Sequence, residues 1–136
     1  MKKIILIVML MVLNSCAFTF DETTKVVSES KSSKIYITEF EVFGLNQPHF
    51  CYFFLSSCVS CEAIKRKIEV YASEHDDFYM IEAPQLYQKG ILKEESVGAK
   101  DINDVKFLGF PTLIFVENNS LTHMYVGINE ITNILF

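Results

Sequence analysis

Apolar residues are grouped into short runs along most of this chain, and these runs predict several strands. Residues 50–55 are apolar at every position, which is typical of a central strand covered on both faces of a sheet. Residues 78–81 and 112–116 predict two further buried strands. Residues 121–126 follow a polar turn at 118–120, and we expect them to form a hairpin with 112–116.

Helical spacing begins directly after the strand at 50–55. Four apolar residues recur at the period of one helix face: Ala63, Ile64, Ile68 and Tyr71. Ser56 and Ser57 are predicted to cap this helix, which is expected to start near Cys58. A second short helix is predicted at residues 128–136, after Gly127.

Two other segments have weaker patterns. Ile35, Ile37 and Phe43 predict a first strand that ends at Gly44. Residues 84–104 predict two weak amphipathic helical stretches. The predicted order is therefore β-β-α-β-α-β-β-α, an α/β sandwich.

Composition limits the chain to one folded domain without a nucleic-acid partner. The chain has 136 residues, 50% hydrophobic and 21% charged, which suits a single core and excludes a wholly disordered protein. Twelve basic and 17 acidic residues give a net charge of −5. Nucleic-acid binding requires a clustered positive surface, and the sequence has no sizeable block of lysine and arginine.

The first residues have the features of an export signal. Two lysines precede an apolar run at 4–13, which is too short to cross a bilayer as a helix but fits a secretory signal. The segment Leu13-Asn14-Ser15-Cys16 resembles the lipobox of bacterial lipoproteins, which implies that Cys16 is lipidated and becomes the mature N-terminus. An ordinary signal peptide or an uncleaved anchor is the alternative.

These features divide the chain into three parts. Residues 1–15 are predicted to be a lipoprotein signal peptide, and residues 16–34 to be a lipidated cysteine followed by a flexible tether rich in Ser, Thr, Glu and Lys. Residues 35–136 are predicted to be the folded domain. The expected location is extracytoplasmic, in a bacterial cell envelope, with the lipid on Cys16 in the membrane.

The sequence Cys58-Val59-Ser60-Cys61 lies between the predicted central strand and the helix. Helical geometry over three residues brings the two side chains close enough to form a disulfide. A helix N-terminus favours a thiolate, so Cys58 is the predicted nucleophile. Cys61 lies one turn deeper and is predicted to resolve the mixed disulfide with a substrate.

The cysteines and histidines also allow other roles. The pair at 58 and 61 could instead form a static disulfide or half of a zinc site. Structural zinc needs four ligands, and neither a second C-x-x-C nor a paired histidine follows, so we predict no metal and no cofactor. Cys51 is predicted to be a core residue. Structural or solvated roles are predicted for the three isolated histidines, His49, His75 and His123.

The segment Gly109-Phe110-Pro111-Thr112 precedes another buried strand. Together with the cysteine pair at the strand–helix junction and Gly127 after the hairpin, it resembles the thioredoxin-like superfamily over residues 35–136. The resemblance implies a central mixed sheet of four to five strands flanked by helices. It also implies that Pro111 is cis and faces the sulfurs, and that Phe110, Pro111 and Thr112 position the substrate backbone.

The chain departs from the thioredoxin pattern at three places. Ser57 stands where thioredoxins usually carry a tryptophan, and Tyr52 occupies the position of their buried aspartate. If a proton relay to Cys61 exists, Glu39, Glu41 or water would have to supply it. The dipeptide between the cysteines, Val59-Ser60, leaves the direction of the redox reaction open.

The sequence therefore predicts a membrane-anchored thiol–disulfide oxidoreductase. Its expected partners are an exported cysteine-containing protein or peptide and a redox partner protein. A narrower resemblance, to the thioredoxin-like bacteriocin transport accessory proteins of Gram-positive bacteria, rests on the short length and the lipobox. The alternative is a non-catalytic accessory lipoprotein of the same fold that binds an exported peptide or its transporter.

Overall fold

A computed structural model of the protein describes residues 35–136, so the predicted signal peptide, Cys16 and the tether lie outside the described residues. Within this range the chain forms a succession of strands and helices, joined by turns and short 3-10 helices. The elements are β1 (His49–Phe54), α1 (Val59–Glu74), β2 (Phe78–Glu82), β3 (Gln88–Lys89), β4 (Lys106–Phe107), β5 (Thr112–Glu117), β6 (Ser120–Val126) and α2 (Gly127–Leu135).

The main sheet has four strands in the order β2-β1-β5-β6. β1 pairs with β2 in parallel and with β5 antiparallel, and β5 and β6 form the predicted antiparallel hairpin. β3 and β4 form a separate two-stranded parallel sheet. The predicted mixed sheet is therefore confirmed, with β1 at its centre between a parallel and an antiparallel neighbour.

The two faces of this sheet are covered in different ways. Side chains alternate along β1, so Tyr52 packs on one face and Cys51 and Phe53 on the other. We call the first the helix face, because α1 and α2 cover it through four buried residues: Ile64, Ile68, Ala72 and Ile131.

We call the second the loop face, because irregular segments cover it. These segments bury seven residues against the sheet: Ile37, Val42, Ala83, Ala99, Ile102, Val105 and Phe107. The core thus has two apolar layers separated by the sheet, and only one of the layers is built from helices.

The predicted first strand is wrong. Tyr36 makes one isolated bridge to Met80, and the chain then turns into a 3-10 helix, Glu39–Glu41. The cause is local, because the Glu41 carboxylate accepts hydrogen bonds from the Thr38 backbone N–H at 2.8 Å and from its hydroxyl at 2.9 Å. These bonds favour a capped turn over an extended strand.

The two helical stretches predicted at residues 84–104 are also wrong. This segment contains β3 and the 3-10 helices Lys93–Glu95 and Ile102–Asp104, with no α-helix. Its apolar spacing does not mark a buried face, since Leu86 is 96% exposed and Ile91 is 84% exposed. A positive φ of 90° at Gly98 marks a further break in the segment.

No helix within residues 35–136 combines the length and the apolar character that crossing a membrane requires.

Candidate active site

The N-terminus of α1 is capped by Cys58, and not by the predicted Ser56 and Ser57. Cys58 has an extended backbone, and its Sγ accepts a hydrogen bond from the Cys61 backbone N–H at 3.1 Å. The sulfur thus takes the place that a hydroxyl or carboxylate oxygen takes in an ordinary N-cap. After reduction, the same N–H and the helix dipole stabilise a thiolate at Cys58.

Cys58 and Cys61 form a disulfide, with their Cα atoms 5.2 Å apart. The two sulfurs differ in exposure, because Cys58 is half-buried whereas Cys61 is only 3% exposed. Val59, between them, is 85% exposed. A molecule in solution can therefore reach Cys58, while Cys61 lies behind it in the protein.

A loop from the other half of the domain lies against Cys58. The Phe110–Pro111 peptide bond is cis, as the resemblance implies, and the Phe110 carbonyl oxygen lies 3.6 Å from the Cys58 Sγ. The Pro111 carbonyl accepts a hydrogen bond from the Gly127 backbone N–H at 2.8 Å. This bond fastens the loop to the start of α2.

The three residues predicted to contact substrate differ in accessibility. Phe110 is half-buried, whereas Pro111 and Thr112 are buried. The Thr112 hydroxyl donates a hydrogen bond to the Gly109 carbonyl at 2.6 Å. The Thr112 side chain therefore holds the shape of the loop, and Phe110 is the member of the three that presents an accessible side chain.

An aromatic group supports Phe110 from the loop face. Its ring stacks on Phe107 with 5.2 Å between centroids and meets the Tyr87 ring edge-on at 5.0 Å. Phe107 in turn packs edge-on against Phe53 of β1 at 5.1 Å. Sequence reasoning missed Tyr87 and Phe107 as parts of the site because both lie in or next to a segment predicted to be helical.

A cavity of about 140 Å³ lies beside Cys61 on the helix face. Tyr52, Glu62, Lys65 and Glu82 line it together with Cys61. Tyr52 is 1% exposed, and its hydroxyl has no hydrogen-bond partner among the described residues. Burial raises the pKa of the Tyr52 phenol, so this group remains protonated and acts as a donor.

Of the three expected replacements for the missing aspartate, which are Glu39, Glu41 and water, the structure places neither glutamate on the cavity beside Cys61. The Glu41 carboxylate binds Thr38, and Glu39 lines a different cavity, of about 110 Å³, with Phe40 and Tyr87. The acidic side chains that line the cavity of Cys61 are Glu62 and Glu82, which the sequence did not single out. Their position follows from the helix N-terminus and the end of β2.

Cys51 is a core residue, as predicted, and His49 has structural surroundings, whereas His123 is exposed. Cys51 is fully buried on the loop face, and burial raises the pKa of its thiol. His49 is buried, with its ring nitrogens at 2.7 Å from the Gln47 carbonyl and 2.8 Å from the Val42 carbonyl. Within residues 35–136, no three His, Cys, Asp or Glu side chains are grouped so as to hold a metal ion.

Comparison with known proteins identifies the fold. No protein-family model and no curated protein sequence matches this chain. Schistosoma mansoni thioredoxin superposes with a TM-score of 0.52 at 16% identity, over 76% of this chain and 95% of that chain. Malassezia sympodialis thioredoxin superposes with a TM-score of 0.51 at 16% identity, over 74% and 85% of the two chains.

The fold is thioredoxin-like. Spinach chloroplast thioredoxin f has a higher identity, 23%, but a TM-score of only 0.43 over 66% of each chain, so the assignment rests on the other two structures. In this thioredoxin-like fold the cysteine pair lies after the central strand β1, at the start of α1, and beside the cis proline loop. Sequence identities of 16% establish the fold only.

Proposed function

We propose that this protein is a membrane-anchored, extracytoplasmic thiol–disulfide oxidoreductase that acts on exported cysteine-containing proteins or peptides. The observation that carries the proposal is the Cys58–Cys61 disulfide at the N-terminus of α1, with the Phe110 carbonyl 3.6 Å from the Cys58 sulfur. A disulfide with a purely structural role would not need the sulfur of Cys58 at a helix N-terminus, next to a loop that presents the accessible side chain of Phe110.

The first step is attack by Cys58. In the reduced protein its thiolate, stabilised by the Cys61 N–H, attacks one sulfur of a substrate disulfide. A bond forms between the Cys58 sulfur and that substrate sulfur, and the substrate disulfide breaks. The electron pair leaves on the second substrate sulfur, which takes up a proton from solvent.

The second step is resolution by Cys61. Its thiolate attacks the Cys58 sulfur, the disulfide of the protein forms, and the first substrate sulfur leaves with its electron pair. The substrate disulfide is thereby reduced to two thiols while the protein dithiol is oxidised. The reverse sequence oxidises a substrate dithiol, and in either direction a redox partner protein returns Cys58 and Cys61 to their starting state.

In this proposal Phe110, Pro111 and Thr112 position the substrate backbone, and Phe110 presents the accessible side chain. The Tyr87 and Phe107 rings hold the Phe110 ring in place, and the Gly127 N–H holds the Pro111 carbonyl. A substrate segment lying along this loop has its sulfur next to Cys58.

A trapping experiment tests the activity. Replacing the resolving residue, Cys61→Ala, is expected to leave Cys58 joined to its substrates as mixed disulfides that can be isolated from cells. Cys51→Ala is the matched control, since it removes a buried thiol on the other face of the sheet and should trap nothing. Absence of adducts with Cys61→Ala, together with no turnover of a model disulfide by the wild-type protein, would reject the proposal.

The proposed location rests on the lipobox-like segment that ends at Cys16. In a bacterial host, wild-type protein is expected in the membrane fraction and to incorporate labelled fatty acid. The Cys16→Ser variant is expected to lose both properties. Equal labelling of the two proteins would contradict lipidation at Cys16 without affecting the proposed dithiol chemistry.

The second candidate function is a non-catalytic accessory lipoprotein that binds an exported peptide or its transporter. Two observations favour it, namely Ser57 in place of the usual tryptophan and Tyr52 in place of the usual aspartate. Full cellular function of a Cys58→Ser, Cys61→Ser double variant would favour binding over catalysis. The likeness to bacteriocin accessory proteins makes a small disulfide-containing peptide the first substrate to assay.

A further inference from the structure

Tyr52 is a buried polar group that the fold leaves without a partner in the described part of the chain. Its neighbours in register on the sheet are Met80 of β2 and Leu113 of β5, and neither side chain offers the phenol an oxygen or nitrogen acceptor. Leaving a buried donor unsatisfied costs folding free energy, whereas phenylalanine would fill the same space without that cost. A tyrosine here therefore calls for a reason beyond packing.

The cavity beside Tyr52 offers that reason. Tyr52 and Cys61 line the same space of about 140 Å³, which is large enough and polar enough to hold water. The charged groups that face this space are Glu62 and Lys65 from α1 and Glu82 from β2. Water in the cavity can therefore accept a hydrogen bond from the Tyr52 hydroxyl and donate one to a neighbouring sulfur.

On the basis of the proposed dithiol chemistry, we propose that the Tyr52 hydroxyl donates a hydrogen bond to water in this cavity and that this water donates one to the Cys61 sulfur. This bridge stabilises the Cys61 thiolate while the mixed disulfide is resolved. Tyr52 is then a positioning residue for Cys61. It does not take the proton of Cys61, because its phenol already carries one. The Cys61 proton passes instead to water and to the acidic side chains that line the cavity.

Atoms and electrons are conserved in the resolution step. The Cys61 S–H loses its proton to cavity water, the Cys61 sulfur bonds to the Cys58 sulfur, and the bond from Cys58 to the substrate sulfur breaks. The electron pair leaves on the substrate sulfur. The Tyr52 hydroxyl keeps its proton throughout and releases its hydrogen bond to the thiolate as the thiolate becomes part of the disulfide.

The test measures resolution directly. Full-length protein carrying Cys16→Ser is reduced and treated with Ellman's reagent, which joins thionitrobenzoate to Cys58. Attack by Cys61 then releases a second thionitrobenzoate, and the rate of this release is followed against pH. Tyr52→Phe is compared with Tyr79→Phe, which removes a phenol hydroxyl from the adjacent strand on the loop face.

Loss of a hydrogen bond to the thiolate is expected to move the midpoint of the profile upward by about one pH unit in Tyr52→Phe. A more basic thiolate is also a better nucleophile, by about threefold for one unit. Release should therefore be about threefold slower than in the parent below the midpoint and about threefold faster above it. Tyr79→Phe should follow the parent at every pH.

Two outcomes would overturn the inference. One is a Tyr52→Phe profile that superimposes on the parent profile. The other is a uniform change in rate at every pH, which indicates a structural role only. A variant with 3,5-difluorotyrosine at position 52 covers the case in which Tyr52→Phe does not fold, because it keeps a stronger donor and should move the midpoint downward.

Failure of the proposed function can be told apart from failure of this inference. If the wild-type protein turns over no disulfide, the proposed function fails. The Cys61 thiolate can still be titrated by its ultraviolet absorbance in Cys58→Ser, against a Cys58→Ser, Cys61→Ala blank. An unchanged midpoint on adding Tyr52→Phe to Cys58→Ser would then overturn the role of Tyr52 independently.

Discussion

The two faces of the central sheet support the two halves of the candidate site by different means. On the helix face, α1 presents Cys58 and Cys61 at its first turn, and Tyr52 lies beneath them on β1. On the loop face, the Tyr87, Phe107 and Phe110 rings form a connected aromatic group below the cis proline loop. The hydrogen bonds at the helix N-terminus orient the sulfurs, whereas ring packing supports the loop beside them in addition to its own hydrogen bonds.

This difference indicates which properties each face controls. A change at Cys58 should alter reactivity and leave stability almost unchanged, because Cys58 is half-buried at a helix end. Changes in the aromatic group should alter stability first, because Phe107 is buried at its centre and the burial of apolar side chains stabilises the folded state.

The largest expected effect is loss of activity in Cys58→Ser. Disulfide exchange should fall to the uncatalysed rate, because Cys61 is only 3% exposed and cannot replace Cys58 as the attacking group. Urea unfolding of this variant should match that of the reduced wild-type protein. If the variant were much less stable than the reduced wild-type protein, Cys58 would have a structural role as well as a reactive one, which would contradict this prediction.

The next largest effect is expected for Phe107→Ala on the loop face. Phe107 is buried and contacts Phe53, Tyr87 and Phe110, so the substitution should lower the free energy of unfolding by about 3–5 kcal/mol. Urea denaturation measures this change. Phe107→Leu, which keeps most of the apolar volume, is the matched control and should lose much less stability.

Gly127→Ala tests the backbone conformation at the junction between β6 and α2. Gly127 has a φ of 83°, and a Cβ there would meet no atom within 4 Å, so any cost arises from the backbone alone. We expect a loss of about 1–2 kcal/mol in the free energy of unfolding. Gly44→Ala, at a residue without a positive φ, should be close to neutral, and equal effects at the two glycines would contradict this account.

The smallest effect concerns an ion pair between the loop segment and α2. Lys93 Nζ donates to Glu130 Oε1 at 2.7 Å, and the Val126 N–H donates to the same carboxylate at 2.8 Å. Both bonds, with that from Lys93 the larger, lower the pKa of Glu130 in the folded state. The stabilisation is therefore present above the pKa of the unfolded chain and is lost as the pH falls through the lowered folded value.

Glu130→Gln should accordingly cost at most about 1 kcal/mol at neutral pH, since the pair is exposed to solvent. Thermal melts of the two proteins should converge as the pH falls below the folded pKa of Glu130. A difference that stays constant down to that pH would show that the carboxylate charge is not responsible.

Sequence reasoning succeeded where the decisive interactions are local. The strand at residues 50–55, the helix after it and the hairpin at 112–126 each follow from patterns within a few residues, and all three are confirmed. The cysteine pair could be assigned to a helix start for the same reason. The exact cap could not, because Cys58 competes for that position with the two serines before it.

The segment at residues 84–104 could not be predicted because distant contacts determine its path. The Gly98 N–H donates to the Leu121 carbonyl at 2.7 Å, and the Leu121 N–H donates to the Ala99 carbonyl at 2.8 Å. The Ser96 hydroxyl likewise bonds to the backbone of Lys106. The environment of Tyr52 depends in the same way on Lys65 and Glu82, which are far from it in sequence.

Because Cys51 is buried, labelling of its thiol can report on unfolding of the domain. Its thiol is fully buried on the loop face of the sheet, so a modifying reagent reaches it only when the domain opens. The rate at which the Cys51 thiol is labelled then measures how often the domain unfolds. The rate of unfolding and the rate of thiol–disulfide exchange can thus be measured on the same sample.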